Sequence, residues 1–366
     1  ILKADNGSGG ETAYLTLDGG NVQMVAAVKL AFNDNVRATF GNSSDLEIYH
    51  DSSNSYIVDG GTGSLKILTS QLAVSNAAGT EALLNATQDG AVNLYYNGIG
   101  PKLATSTTGI SVTGTINGIP FYSDAANNSM YTHDVSGTDD TAIQNTAYGF
   151  AAMDAITTGD NNTAIGYLSG SALNTGVQNT LIGSLAGDAL TTGSFNVAIG
   201  TNALSAEDGH GRNVAVGYNT LNAQNAGADA YNVAVGSNAG QLVSTGVENI
   251  LIGGNAGDAL TSGAYNIAIG RNALGAEDTH GRNVAIGHSA LAAQDAGADA
   301  YNTAVGFWAG LAITTGVQNV ILGGLAGDAL TTGSNNVAIG FGALSAEDGH
   351  GRNIAVGQGT LQNQNA

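Results

Sequence analysis

The sequence predicts an all-β chain: an N-terminal shaft of short strands, expected as a β-prism, then a parallel β-roll or β-solenoid of 17–19-residue coils, bundled as a homotrimeric fibre. Three observations lead there. From Asn145 onward, Asn-x-x-x-Gly recurs 13 times at spacings of 17 or 19 residues. The residues between Asn and Gly are β-formers or Ala, as in Val197-Ala198-Ile199. Gly supplies 55 of 366 residues and charged residues only 10%, against about 7% Gly and 25% charge in ordinary domains. Small residues suit thin, tightly wound layers better than a deep globular core.

Residues 1–118 are expected to form β-rich shaft modules. Leu46 and Ile48 alternate with Glu47 and Tyr49, and Leu65 and Ile67 with Lys66 and Leu68; Ile110 opens a third such run. Gly, Asn and Asp clusters such as Asp59-Gly60-Gly61 punctuate these strands. In one chain they leave open edges, which invite pairing; three chains wrapped together remove them. Residues 119–144 form a junction carrying Pro120, and are expected to cap the first coil, since the end of a stacked repeat must be protected.

Residues 145–366 are the repeat. The pentads begin at Asn145, Asn162, Asn179, Asn196, Asn213, Asn232, Asn249, Asn266, Asn283, Asn302, Asn319, Asn336 and Asn353. Asn162 to Asn232 is 70 residues, and so is Asn232 to Asn302. The chain therefore holds 70-residue super-repeats of four coils, the last incomplete. A 17-residue period is too short for helix-pair repeats, which need about 33 residues. Side chains alternate along a strand, so Val197 and Ile199 face one layer and Ala198 a tighter one. Gly at the fifth position supplies a turn or a close backbone approach. The Asn residues are expected to form a hydrogen-bonded ladder along the axis. The segment after each Gly, such as 202–206, reads as a second short strand or a helical turn.

The NVAIG and NTAIG coils resemble the heads of trimeric autotransporter adhesins, whose related motif winds a parallel β-roll in each of three chains. Coils here are longer, which implies a longer outer loop. The arrays resemble still more closely those of bacteriophage tail fibres, marine ones especially. The segments Val36–Leu68 and Asp89–Gly118 are similar to modules of the same fibres. These resemblances imply a homotrimeric virion fibre or extracellular adhesin that meets a glycan or protein receptor on a bacterial surface. They imply no catalytic residues. No self-cleaving chaperone is visible at the C-terminal end, and a chain starting at Ile1 is expected to be a piece of a longer polypeptide.

Composition limits the alternatives. A net charge of −20 opposes nucleic acid and anionic lipid as partners. Without Cys there is no disulfide or thiolate chemistry. No run of 18 apolar residues is present, so no membrane insertion is expected. Walker-type loops, Cys/His metal spacing and calcium β-roll motifs are absent, and no cofactor is expected.

The most distinctive polar cluster is Glu207, Asp208, His210 and Arg212. It repeats as Glu277, Asp278, His280, Arg282 and as Glu347, Asp348, His350, Arg352. Three readings apply: receptor contact, a solvated loop in which Arg pairs with a carboxylate of its own turn, or a metal site using His210, His280 and His350. Aromatic residues flank the pentads. Tyr167, Tyr218, Phe307 and Trp308 follow the Gly, and Tyr231, Tyr265 and Tyr301 precede the Asn. Trp308 joins the receptor-contact candidates as the only Trp; the competing reading is a packing plug. His50-Asp51 and His133-Asp134 are isolated pairs with no placed nucleophile. The expected function is a non-enzymatic structural fibre and adhesin, as a phage tail fibre with multivalent receptor loops. A bacterial surface adhesin and a polysaccharide-depolymerase fibre are the alternatives. An ice-binding array is excluded by the sparse Thr191-Thr192 and Thr331-Thr332 pairs.

Overall fold

The computed structural model describes residues 2–5, 11–18, 23–26, 31–97, 100–107, 109–112, 115–116, 119–120, 122–124, 129–131, 141–346 and 349–362. Among them there are strands and turns but no helix. The chain divides into two compact units, Ile1–Ser111 and Val112–Ala366.

The first unit consists of antiparallel meanders. Leu2–Asp5, Glu11–Asp18 and Gln23–Ala26 form one three-stranded sheet, and Ala38–Phe40, Leu46–His50 and Ser55–Asp59 another. Five strands from Gln71–Ser75 to Gly109–Val112 form the third. Alternation in these strands is real but shallow. Ile57, Ile67, Leu68 and Ile110 are all exposed, and none of the described residues from 31 to 112 is buried.

The second unit contains a parallel solenoid of 13 coils, each contributing one three-residue strand, from Thr146–Tyr148 to Ile354–Val356. The pairing is in register throughout: Val197, Ala198 and Ile199 face Val214, Ala215 and Val216 of the next coil. At about 4.8 Å per coil the stack is roughly 60 Å long. At its start, Tyr122–Asp124 pairs antiparallel with Ser129–Tyr131, which pairs parallel with the first coil. Ser129 Oγ accepts the Asn145 N–H, and Tyr131 fills the central position, 1% exposed.

Each pentad Asn is an internal staple. Its Oδ1 accepts the backbone N–H of the Asn in the next coil, at 2.8 Å from Asn162 to Asn145 and 2.9 Å from Asn196 to Asn179. The same donation continues to Asn353, which bonds Asn336. In most coils Nδ2 donates to a carbonyl 14 residues on, as from Asn162 to Gly176 O at 2.8 Å. One half of the amide thus ties neighbouring coils together and the other closes its own coil. The expected amide-to-amide contact occurs only at some steps, such as Asn179 Nδ2 to Asn162 Oδ1 at 3.0 Å. Each such bond contributes about 1 kcal/mol net, and a buried amide left unpaired costs about 1–3 kcal/mol.

The core is thin, with a few apolar residues buried in each coil. The central strand residue is fully buried, whether Ala198, Ala215 or Leu251. Where it is large, small residues stand opposite: a Cβ on Gly170 would lie 2.6 Å from Leu181 Cδ1, and one on Gly240 2.6 Å from Leu251 Cδ1. Coils built on Ala198, Ala268 or Ala338 instead bury Leu204, Leu274 or Leu344. Close packing tolerates neither the void nor the clash that a mismatch would create.

After the Gly, the chain makes neither a strand nor a helical turn but a run of tight turns. Left-handed residues set its corners: Asn202 (φ 56°), Leu204 (φ 53°) and Arg212 (φ 64°) in one coil. Such a conformation costs a non-glycine residue about 1–2 kcal/mol. Bonds between coils hold it here, including Asn202 N to Ser184 O at 3.0 Å and Leu204 N to Thr220 O at 3.0 Å.

The pentad Gly is required twice over. Gly200 has φ 134°, outside the reach of other residues, and a Cβ there would sit 2.3 Å from Gly217 O. Gly200→Ala is therefore expected to destabilise the solenoid by at least about 3 kcal/mol, read as a lower thermal midpoint by circular dichroism. Deletion of residues 232–301 removes one whole 70-residue block and keeps the register. It is expected to leave a shorter, fully folded solenoid with an unchanged far-ultraviolet spectrum per residue, whereas deletion of half a coil is expected to aggregate.

Candidate functional site

With Ala, Leu or Ile inside, the first and third strand residues form two outward columns of Thr, Val and Ile, joined by Tyr148 and Leu322, along the solenoid. Ile165, Ile250, Ile252, Val305, Val320, Ile354 and Val356 are exposed, and the other Val and Ile residues of the columns are half-buried. These columns make a long, flat apolar strip.

Columns of larger side chains border the strip. The residue before each Asn is held left-handed: Phe195 (φ 62°), Arg212 (φ 64°), Tyr231 (φ 52°), Glu248 (φ 55°), Tyr265 (φ 63°), Arg282 (φ 64°) and Tyr301 (φ 53°) in successive coils. An aromatic thus returns every second coil, roughly 10 Å apart. The Arg212 guanidinium lies over Phe195 and Tyr231, 4.8 and 5.6 Å from the ring centroids. Arg282 repeats this between Tyr265 and Tyr301, at 5.3 and 5.7 Å. Each such cation–π contact contributes about 0.5–1 kcal/mol at an exposed site. A groove of about 420 Å³ lies between Tyr231, Glu248, Val233 and Ile250.

The arginines do not pair with a carboxylate of their own turn. Arg212 Nε bonds Asp229 Oδ2 of the next coil at 2.8 Å, and Arg282 pairs with Asp299. Both acids sit in the 19-residue coils, so the two extra residues carry the counter-charge. The Arg212 guanidinium holds the Asp229 carboxyl below the usual carboxylate range. This pair is open to water, and its contribution to stability is small.

Glu207 and Glu277 are not surface residues. Both are fully buried, which removes them from any receptor contact. They occupy a core column otherwise filled by Ile156, Leu173, Leu190, Val243, Leu260, Ile313 and Leu330. Glu207 Oε1 accepts the His210 N–H at 3.0 Å, and Glu277 Oε1 the His280 N–H at 3.1 Å. Burial raises the affinity of both carboxyls for a proton, that of Glu277 to about 7. The next residue in the column is buried Gln224 or Gln294, which accepts from Asn232 at 2.7 Å or Asn302 at 2.6 Å. These glutamines serve the long coils, where the amides of Asn213 and Asn283 have no acceptor for Nδ2. Glu347 and Asp348 lie outside the described residues, while His350 O accepts from Asn336 Nδ2 at 3.2 Å. Arg352 continues the left-handed column at φ 66°.

On the other border of the strip, Phe150 stacks on Tyr167 (5.9 Å) and His288 on Phe307 (5.5 Å). Trp308 stacks on Phe307 at 4.7 Å and is 38% exposed, so it is both packed and accessible. Tyr218, at the position that Phe307 holds in its own coil, is exposed. His50-Asp51 is a hairpin device: Asp51 accepts from Ser53 N, Asn54 N and Tyr56 OH. His133 and Asp134 lie outside the described residues.

Phe195, Asp229, Asp299, Gln224 and Gln294 are not among the residues expected from the sequence, although Tyr231, Tyr265 and Tyr301 before the Asn are. Aligning the coils on the Asn exposes the aromatic–arginine column; Asp229 needs the 19-residue loops as well. Compared with known protein families, with curated proteins and with solved structures, the chain matches none. No helix of the described residues is long and apolar enough to cross a membrane.

Buried carboxyls that favour the proton make stability depend on pH. Asp188, Asp258, Asp328, Glu207 and Glu277 all shift upward, with burial as the leading cause. The folded state binds these protons more tightly than the unfolded one. For Glu277 this stabilisation is complete below its unfolded value of 4.5 and is lost as pH climbs through about 7; for the other four it is lost as pH rises through their raised values. In chelator-treated buffer the thermal midpoint is expected to be lower at pH 8 than at pH 5. The difference should shrink in Glu207→Gln/Glu277→Gln.

Proposed function

We propose that the chain is a structural fibre segment with an adhesive surface, assembled as a homotrimer, and that it serves as a phage tail fibre touching a bacterial glycan or protein receptor. The carrying observation is the strip of Val, Ile and Thr, with Tyr148 and Leu322, on the outward face of the 13 stacked strands. Exposed apolar patches of such extent mark interaction surfaces. A straight strip repeating every coil is complementary to an identical copy, and a closed ring of copies hides every strip at once.

The first unit supports the same reading. Its described residues from 31 to 112 bury nothing, yet present Phe32, Ile57, Ile67, Leu68 and Ile110. A segment whose described residues form no core gains one by wrapping with its copies, as a triangular prism does. Receptor contact then falls to side chains that border the strip: Tyr231, Tyr265 and Tyr301 with their arginines, His210 and Asp208 on the loops, and Trp308. Their regular return gives many weak contacts on one rigid body, so avidity multiplies modest affinities. Such a role is mechanical and needs neither a nucleophile nor a cofactor.

Native mass spectrometry is expected to give three copies of the 36.3 kDa chain, about 109 kDa. Val197→Asp/Ile199→Asp/Val233→Asp is expected to shift the mass toward the monomer. A wild-type monomer at micromolar concentration would end the fibre reading. Tyr231→Ala/Tyr265→Ala/Tyr301→Ala is expected to remain trimeric and to lose at least tenfold in binding to host cells, measured with labelled protein.

A further inference from the structure

The loop that closes the coil before each 19-residue coil places three donor groups together. One oxygen of Glu207, one of Asp208 and a ring nitrogen of His210 lie within 4.8 Å of one another, and Glu277, Asp278 and His280 repeat the arrangement. Position alone would make this an ordinary acidic loop. What sets it apart is its buried side. Glu207 is fully buried, and its Oε2 has no hydrogen-bond partner. His210 Nδ1, 3.7 Å from Glu207 Oε1, is buried and has none either. Glu277 Oε2 has no partner either, while His280 Nδ1 meets Thr279 Oγ1 at 2.9 Å. Native structures rarely leave such atoms unpaired, and a buried carboxylate without a counter-charge is costly. Here the Glu replaces the Leu or Ile of ordinary coils, so packing offers no reason for it.

The loop is also held rigidly. Asp208 O accepts from Thr191 N at 2.6 Å and Thr191 Oγ1 at 2.7 Å. Asp278 O accepts likewise from Thr261 N and Oγ1. Asn196 Nδ2 donates to His210 O at 3.2 Å. One side of the candidate ligand set is therefore fixed by the preceding coil and the other by the Asn of its own coil.

We propose that each of these loops binds one divalent cation of the zinc class, held by Glu207, Asp208 and His210 in one block and by Glu277, Asp278 and His280 in the next. Two carboxylates and an imidazole are a donor set that zinc accepts, with bonds of about 2.0–2.2 Å and ligand atoms roughly 3–3.5 Å apart. Closing the observed spread of 4.8 Å takes side-chain adjustment, for which Asp208 is exposed and His210 half-buried. The ion meets the buried carboxylate's need for positive charge and pins the loop that faces Asp229 and Arg212. Water completes the coordination from the open side.

The test uses the full chain, stripped with chelator and titrated with zinc chloride alone in equilibrium dialysis. Saturable uptake of at least two zinc per chain and a higher thermal midpoint are expected. Glu207→Leu/Glu277→Leu restores the aliphatic column; it is expected to lose two zinc equivalents and to melt higher than the stripped wild type. His210→Ala/His280→Ala leaves the buried column intact and is expected to lose the same two equivalents while keeping the wild-type spectrum. The proposal is overturned if the wild type takes up no zinc saturably, or if either variant retains the full stoichiometry.

Discussion

Everything in the solenoid depends on a buried side-chain amide shared between neighbouring coils. A three-residue strand has too few backbone bonds to hold its own register. The pentad Asn adds two more at the point where the coil turns inward, one to the coil beside it and one to its own far end. Because the amide is buried, leaving either half unmade is expensive, so the same spacing must recur in every coil. Residues between the pentads are then free to vary wherever they point outward.

The close approach that this staple enforces dictates the glycines. Coils stacked at the spacing of a β-ladder bring Gly200 against the carbonyl of Gly217, and Gly217 against that of Gly236. It also dictates the thin core, in which Leu181 is matched by Gly170 and Gly187. The left-handed corners are the cost of a coil this small. Phe195, Arg212 and Tyr231 sit in that conformation because bonds to the preceding coil, such as Arg212 N to Ser194 O, leave them no other. The same constraint turns those side chains outward as a regular column, so a requirement of folding creates the surface proposed for receptor contact.

The 19-residue coils break the pattern at one place per block. Two inserted residues carry Asp229 or Asp299 to the neighbouring arginine, but they also displace the carbonyl that would accept from Asn213 or Asn283. Polar residues then enter the core column as Glu207–Gln224 and Glu277–Gln294. Gln224 and Gln294 answer the amides of Asn232 and Asn302, while the glutamates are left half-satisfied beside a histidine. Irregularity, charge and unpaired polarity therefore coincide at one corner of the coil.

The sequence by itself determined the repeat, the in–out alternation of Val197, Ala198 and Ile199, and the need for Asn and Gly at fixed positions. These follow from the two-residue period of a strand and from backbone sterics, both of which are local. Only the tertiary structure decided that the segment after each Gly is a series of left-handed turns, since Leu204 and Phe195 carry no local preference for them. It alone buried Glu207, which the sequence places among loop residues, and gave Arg212 its partner 17 residues away. Those outcomes arise from contacts between coils, where the position of a residue depends on what the neighbouring coil presents.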